Sequence, residues 1–175
     1  MEKDNAIYTG SVFTLRPLRP EDAESLARHA NDLRIWDNLR DAFPHPYTRA
    51  DADAFIALAS GKNPVRDFAV VIDGEAVGCM GYVPGTDVER VSAEVGYWLG
   101  EPYRNCGVTS EALDALAEHI FRTTDILRLF ATVFSGNLAS MRVLEKAGFR
   151  KVGILRKAAV KNGRVVDLHY YERAR

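Results

Sequence analysis

The stretch Arg104-Asn105-Cys106-Gly107-Val108-Thr109-Ser110 follows the apolar run Val91 to Leu99 and opens the helix-patterned segment Val108 to Arg122. A strand, a short loop and a helix N-terminus in that order make a place for an anion. The first turn of a helix leaves backbone N–H groups without partners, and the aligned peptide dipoles add partial positive charge there. Gly107 lets a ligand come close to the backbone. By itself, Arg-x-x-Gly-x-Thr is also the spacing of an ordinary strand-to-helix loop. Its meaning depends on the segments around it.

Downstream, after the strand-like run Arg128 to Phe134, Asn137 opens and Gly148 closes a short helix-patterned segment containing Ser140, Arg142, Val143, Leu144, Glu145 and Lys146. Asn and Gly suit those two ends as N-cap and C-cap. Within Val108 to Arg122, Leu113, Leu116, Ala117, Ile120 and Phe121 recur at helical spacing and predict a stripe packed on a sheet. Asp73-Gly74 and Asn162-Gly163 each lie between two extended runs and predict tight antiparallel hairpins. Val12 to Leu18 reads as a first strand. Pro20-Glu21-Asp22 reads as a helix start, and Thr48 with Asp51 as a capping box before a second helix. Strands and helices do not alternate strictly, so the pattern predicts α+β (mixed α/β) architecture: a mostly antiparallel sheet of about seven strands with helices on its faces.

Three ordered motifs, Glu94-Val95-Gly96-Tyr97-Trp98-Leu99, Tyr103-Arg104-x-x-Gly107-x-Thr109 and Asn137-x-x-Ser140-x-Arg142-Val143-Leu144-Glu145-Lys146-x-Gly148-Phe149, together resemble the GNAT family of acetyl-CoA-dependent N-acetyltransferases. They are most similar to its ribosomal-protein N-terminal acetyltransferase branch, of RimJ/RimL type. Leu15 to Ala23 and Tyr170-Tyr171 also fit that branch, so the resemblance spans nearly the whole chain, read as one domain over residues 1–175. It implies a strongly twisted sheet whose fourth and fifth strands splay apart to hold the acyl-CoA, and it assigns residues to the cofactor. Arg104, Asn105, Cys106, Gly107, Val108, Thr109 and Ser110 would wrap the pyrophosphate. Trp98 and Leu99 would line the pantetheine arm, and Asn137 would anchor it from the other side. Thr109 departs from the Gly or Ala usual at that place, adding a methyl and a hydroxyl near the phosphates.

Chemistry asks that the acceptor amine be neutral when it attacks. At pH 7 a lysine amine costs ~4.6 kcal/mol to deprotonate and a peptide α-amine only ~1.1 kcal/mol. Glu94 is the candidate base, acting through water, with an ion-paired or solvated strand acid as its plainer reading. Ser140 is the candidate donor to the departing thiolate, because the tyrosine many GNAT enzymes place later in that helix is Leu144 here. A plain first-turn serine is the alternative. Trp36, Asn38, Phe43 and Tyr97 are the candidate acceptor residues, although aromatic residues at such density also build cores.

At 175 residues and 47% hydrophobic content the chain can bury a sizeable core, and a net charge of −1 gives no footprint for nucleic acid. The start Met1-Glu2-Lys3-Asp4-Asn5 has no apolar h-region and no run approaches a membrane span, so a cytoplasmic enzyme without membrane contact is expected. Cys79 and Cys106 make no disulfide framework, and His29, His45, His119 and His169 lack metal-ligand spacing, so no metal is expected. The partners expected are acetyl-CoA and an amine acceptor, with a homodimer left open. Three functions are in view: α-amine acetylation on a peptide or protein, acetylation of a small amine such as an antibiotic, polyamine or amino-acid derivative, and a silent acyl-CoA-binding module.

Overall fold

A computed structural model describes residues 5–175; residues 1–4, which hold most of the start read above as leader-free, lie outside the described residues. The strands are β1 (Tyr8–Thr9), β2 (Thr14–Pro17), β3 (Asp67–Ile72), β4 (Glu75–Pro84), β5 (Ser92–Leu99), β6 (Arg128–Phe134), β7 (Arg150–Lys161) and β8 (Arg164–Ala174). They form one sheet in the order β1-β2-β3-β4-β5-β6-β8-β7. The helices are α1 (Ala23–Ala30), α2 (Leu33–Trp36), α3 (Arg49–Ser60), α4 (Val108–Thr123) and α5 (Leu138–Lys146). The strand beyond the expected seven is β1, two residues paired through Tyr8 and Leu15, too short to leave a period in the sequence. Counting it makes the parting strands β5 and β6.

Local chemistry accounts for the helix ends. Thr48 and Asp51 form the reciprocal capping box that starts α3, and Asn137 accepts the Ser140 N–H to start α5. Both hairpin turns have consecutive positive φ values, 50° and 81° at Asp73-Gly74 and 52° and 70° at Asn162-Gly163. Arg16 and Asp22, both buried, pair through two hydrogen bonds of 2.8 and 2.7 Å and fix the entry of α1 against the end of β2. A buried charge needs such a partner.

The sheet buries both faces at β3 and β4. On one side Phe68, Val70, Val77 and Val95, with Leu129 and Val133 of β6, pack against Leu113, Leu116 and Ile120 of α4 and Leu144 of α5. On the other, Ala69, Ala76 and Cys79 meet Leu26 of α1 and Ile56 of α3. All neighbouring strands run antiparallel except β5 and β6, which are parallel and pair only through Ser92–Arg128, Ala93–Leu129 and Glu94–Phe130. Beyond Glu94 the two strands part. At the far edge, β7 pairs with β8 through two register breaks, at Lys151/Gly153 and Leu155/Ala159, and most of its side chains are exposed. No helix among the described residues is long and apolar enough to cross a membrane.

Candidate active site

The parting of β5 and β6 opens a cleft of about 490 Å³, walled by Val95 to Leu99, Ala131 to Val133, the start of α4, the first turn of α5, and α2 with the residues after it. At one end lies the loop before α4. Asn105 and Gly107 have φ of 64° and 86°, and Gly107 caps the helix. The Glu111 N–H reaches the Gly107 carbonyl at 3.1 Å, which leaves the N–H groups of Val108, Thr109 and Ser110 ahead of the helical ladder. A Cβ built on Gly107 would meet nothing within 4 Å, so the space before the helix is open. Asn105, Gly107, Thr109 and Ser110 line it, whereas the Val108 side chain is buried in the core and only its backbone faces the loop. Cys106 is exposed, its thiol donating to the Tyr103 carbonyl at 2.8 Å.

Arg104 is turned inward. Its guanidinium donates to the Leu99 carbonyl and to Asp32, both at 2.9 Å, so it braces the loop while still lining the cleft. Burial alone would raise the Asp32 carboxyl, but hydrogen bonds from the Arg34 backbone and side chain and from Arg104 outweigh it and hold the carboxyl below its usual range. Two cations that sequence reasoning passed over, Arg142 and Lys146, also line the cleft from α5, without a carboxylate partner among the described residues. Their four-residue spacing on one helix face was a readable signal.

In the middle of the cleft the Tyr97 and Ser140 hydroxyls lie 2.8 Å apart, and Tyr97 is also 3.3 Å from the Ser140 carbonyl. This contact spans the gap from β5 to the first turn of α5. Burial pushes the Tyr97 hydroxyl up to about 12, so it stays protonated and able to donate at neutral pH. Tyr97, expected to meet the acceptor, lines the cleft with its hydroxyl against that of the candidate donor Ser140. Trp98, Leu99 and Asn137 line the same stretch.

Glu94 stands where the strands part, just outside the cleft lining. Its Oε1 accepts from Arg40 at 2.6 Å and from the Thr132 hydroxyl at 3.4 Å. Asn38 and Leu39, which precede Arg40 in sequence, line the cleft on this side. Of the candidate acceptor residues, the structure brings Asn38 and Tyr97 to the cleft but not Trp36 or Phe43. Phe43 stacks on Tyr47 at 4.8 Å and meets Trp98 edge-on at 6.2 Å, behind the wall. Trp36 lies beneath Lys161, whose Nζ is 3.6 Å from the ring centroid. Arg40 and Thr132 carried no local signal, because they meet Glu94 only through the fold. Among the described residues no cluster of three or more His, Cys, Asp and Glu is placed to hold a metal.

Comparison with known proteins supplies the class. Residues 13–150 match the acetyltransferase (GNAT) domain model, and the chain belongs to that family. It is an acetyl-CoA-dependent N-acetyltransferase, which sets aside the silent-module reading. It is 36% identical over 161 residues to the uncharacterized N-acetyltransferase YoaA of Bacillus subtilis, covering 90% of each chain. With the L-amino acid N-acetyltransferase AaaT of Escherichia coli it shares 28% identity over 170 residues, covering 94% of this chain and 99% of the other. Its fold is that of RimL, a ribosomal L7/L12 alpha-N-protein acetyltransferase solved in complex with coenzyme A, at a TM-score of 0.84 and 20% identity over 97% of each chain.

Proposed function

We propose that this acetyltransferase modifies the α-amine of a peptide or protein N-terminus. The observation that carries the reading is the state of Glu94. Its carboxylate is already engaged by Arg40 and the Thr132 hydroxyl. An acceptor that costs only ~1.1 kcal/mol to neutralise at pH 7 suits it, and a lysine-like amine at ~4.6 kcal/mol does not. RimL, named for α-N-protein acetylation, shares the fold.

The cleft fits acetyl-CoA. Its anionic end matches the open space before α4, where a side chain at Gly107 would intrude and where three backbone N–H groups stand ahead of the ladder. Past Glu94 the edge of β5 towards β6 has no partner strand, so the backbone of Tyr97 and Leu99 can offer groups to the pantetheine amides, while Trp98, paired with Cys79 of β4, lines the cleft. Asn137 anchors the arm from the opposite side, and Arg142 and Lys146 add positive charge. When bound, the cosubstrate supplies the acetyl group as an activated thioester.

The chain's own residues then orient the amine and move protons. Asn38 and Leu39 hold the acceptor against the parting of β5 and β6. Glu94 takes the amine proton through a water as the C–N bond forms. Ser140, held by the Tyr97 hydroxyl, gives its proton to the sulfur as the C–S bond breaks, and Tyr97 or solvent restores it. Holding both reactants adjacent in the cleft supplies much of the rate, so no acyl-enzyme is needed.

A small amine is the second reading, and the AaaT relative, named for L-amino acids, favours it. An acceptor screen with acetyl-CoA, following free thiol over peptide, amino-acid, aminoglycoside and polyamine panels, separates the two. Peptides with free N-termini should give the highest kcat/KM, with mass spectrometry placing the acetyl group on the α-nitrogen. A free amino acid, aminoglycoside or polyamine that outruns every peptide would overturn the proposal.

A further inference from the structure

Lys161, the last residue of β7, is a buried lysine, only 6% exposed. Its Nζ donates to Asp41 Oδ1 at 2.7 Å and sits over the Trp36 ring. The next residue, Asn162, donates from Nδ2 to Asp37 Oδ1 at 2.9 Å. The tip of the β7–β8 hairpin is thus fastened to the segment between α2 and α3 at two points. Asn38, Leu39 and Arg40 lie between Asp37 and Asp41 in that segment. Two of them line the cleft, and the third reaches Glu94 at 2.6 Å.

Stability is a poor explanation for this arrangement. Asp41 is 70% exposed, and an ion pair with so solvated a partner contributes little, while burying the ammonium costs free energy. What the contact provides is position. At its other end α2 is joined to the phosphate loop, through Asp32 with Arg104 and Arg34 with Glu101. The wall formed by α2 and its continuation therefore has one anchorage beside the cofactor loop and another, built on Lys161, beside Glu94.

We propose that Lys161 is a positioning residue for the acceptor: by holding Trp36 and Asp41 it keeps Asn38, Leu39 and Arg40 in register over the end of the cleft at Glu94. The inference rests on the cleft being the active site, and it is independent of which amine proves to be the best acceptor. Lys161 touches neither reactant. Its loss should weaken acceptor binding and leave the cofactor end, with its own anchorage, as it was.

The test uses Lys161→Met, which keeps the packing stem and removes the charge, beside Lys161→Arg, which keeps the charge. With the best acceptor from the screen, Lys161→Met should raise the acceptor KM about tenfold, leave the acetyl-CoA KM within about twofold, and change kcat less than KM. Lys161→Arg should recover most of that loss. Asp41→Asn, an exposed change that leaves the core untouched, should raise the acceptor KM in the same direction and serves if Lys161→Met does not fold. An unchanged acceptor KM in folded Lys161→Met, or in Asp41→Asn if that variant alone folds, would overturn the proposal. So would a parallel rise in both KM values. Absence of acetyl-CoA binding by the unaltered protein in calorimetry would instead remove the active-site assignment.

Discussion

The two ends of the cleft are built from different materials. The end proposed for the phosphates is mostly main chain: a glycine at φ 86°, an asparagine at φ 64°, and N–H groups at the start of α4, all within a few consecutive residues. The end proposed for the acceptor is made of side chains brought from far apart, Arg40 to Glu94 across 54 positions and Lys161 to Asp41 across 120. A backbone site tolerates many side chains but not a change in backbone conformation. A side-chain site is the reverse: each group can be exchanged, and with it the acceptor.

The largest effect should follow from striking the backbone end. Gly107→Val forces a β-branched residue into left-handed φ and points it into the open space before α4. Acetyl-CoA affinity should fall by ~10²-fold or more, a factor of ten being ~1.4 kcal/mol. Calorimetry measures this, and circular dichroism should show the fold retained. Tight binding in that variant would mean that the phosphates bind elsewhere.

Next comes the acceptor end. Glu94→Gln keeps an oxygen for Arg40 but cannot take a proton, so kcat should drop by ~10²-fold with acetyl-CoA affinity little changed. Part of the loss should return at higher pH, where the acceptor is already neutral. Full activity at pH 7 would take Glu94 out of the mechanism.

Between the two ends, Ser140→Ala and Tyr97→Phe should each lower kcat by ~10-fold without recovery at high pH, and the double variant should be no slower than the worse single one. Losses that multiply would show that the two hydroxyls act separately.

The smallest effect concerns the joint between α2 and the phosphate loop. The Asp32 carboxyl lies below its usual range in the folded protein. Its stabilisation is therefore complete above the unfolded value of ~3.9 and is lost as pH falls through the lower folded value. Asp32→Asn should flatten the acid limb of a Tm-against-pH curve below pH ~4 while shifting the acetyl-CoA KM only slightly. An unaltered acid limb would show that Asp32 carries no such linkage.

The same contrast explains what could be read from the chain before its structure. The turns at Asp73-Gly74 and Asn162-Gly163, the Thr48–Asp51 capping box and the α4 stripe all depend on residues within a turn or two of one another, and each lies where its local chemistry puts it. The strand-loop-helix order around Gly107 was legible for the same reason, whereas the pairing of Arg104 with Asp32, a partner 72 positions away, was not. The acceptor end was not. Trp36 and Phe43 stood out as aromatic residues near the right place, but which way each faces is decided by Lys161, Tyr47 and Trp98, none of them adjacent in sequence. The ion pair of Glu94 was visible only as one of two possibilities until Arg40 supplied the partner.

The outer strand β7 has a consequence of another kind. It runs for twelve residues along an open margin of the sheet, a length of unpaired backbone that in another protein would recruit a foreign strand. Here the ladder is broken twice, and Arg150, Lys151, Arg156 and Lys157 stand exposed along it. Each break spoils the regular spacing a new strand would need, and each cation resists being stripped of water by a neighbour of the same kind. The margin that carries the acceptor latch at its tip is thereby guarded along its length against aggregation.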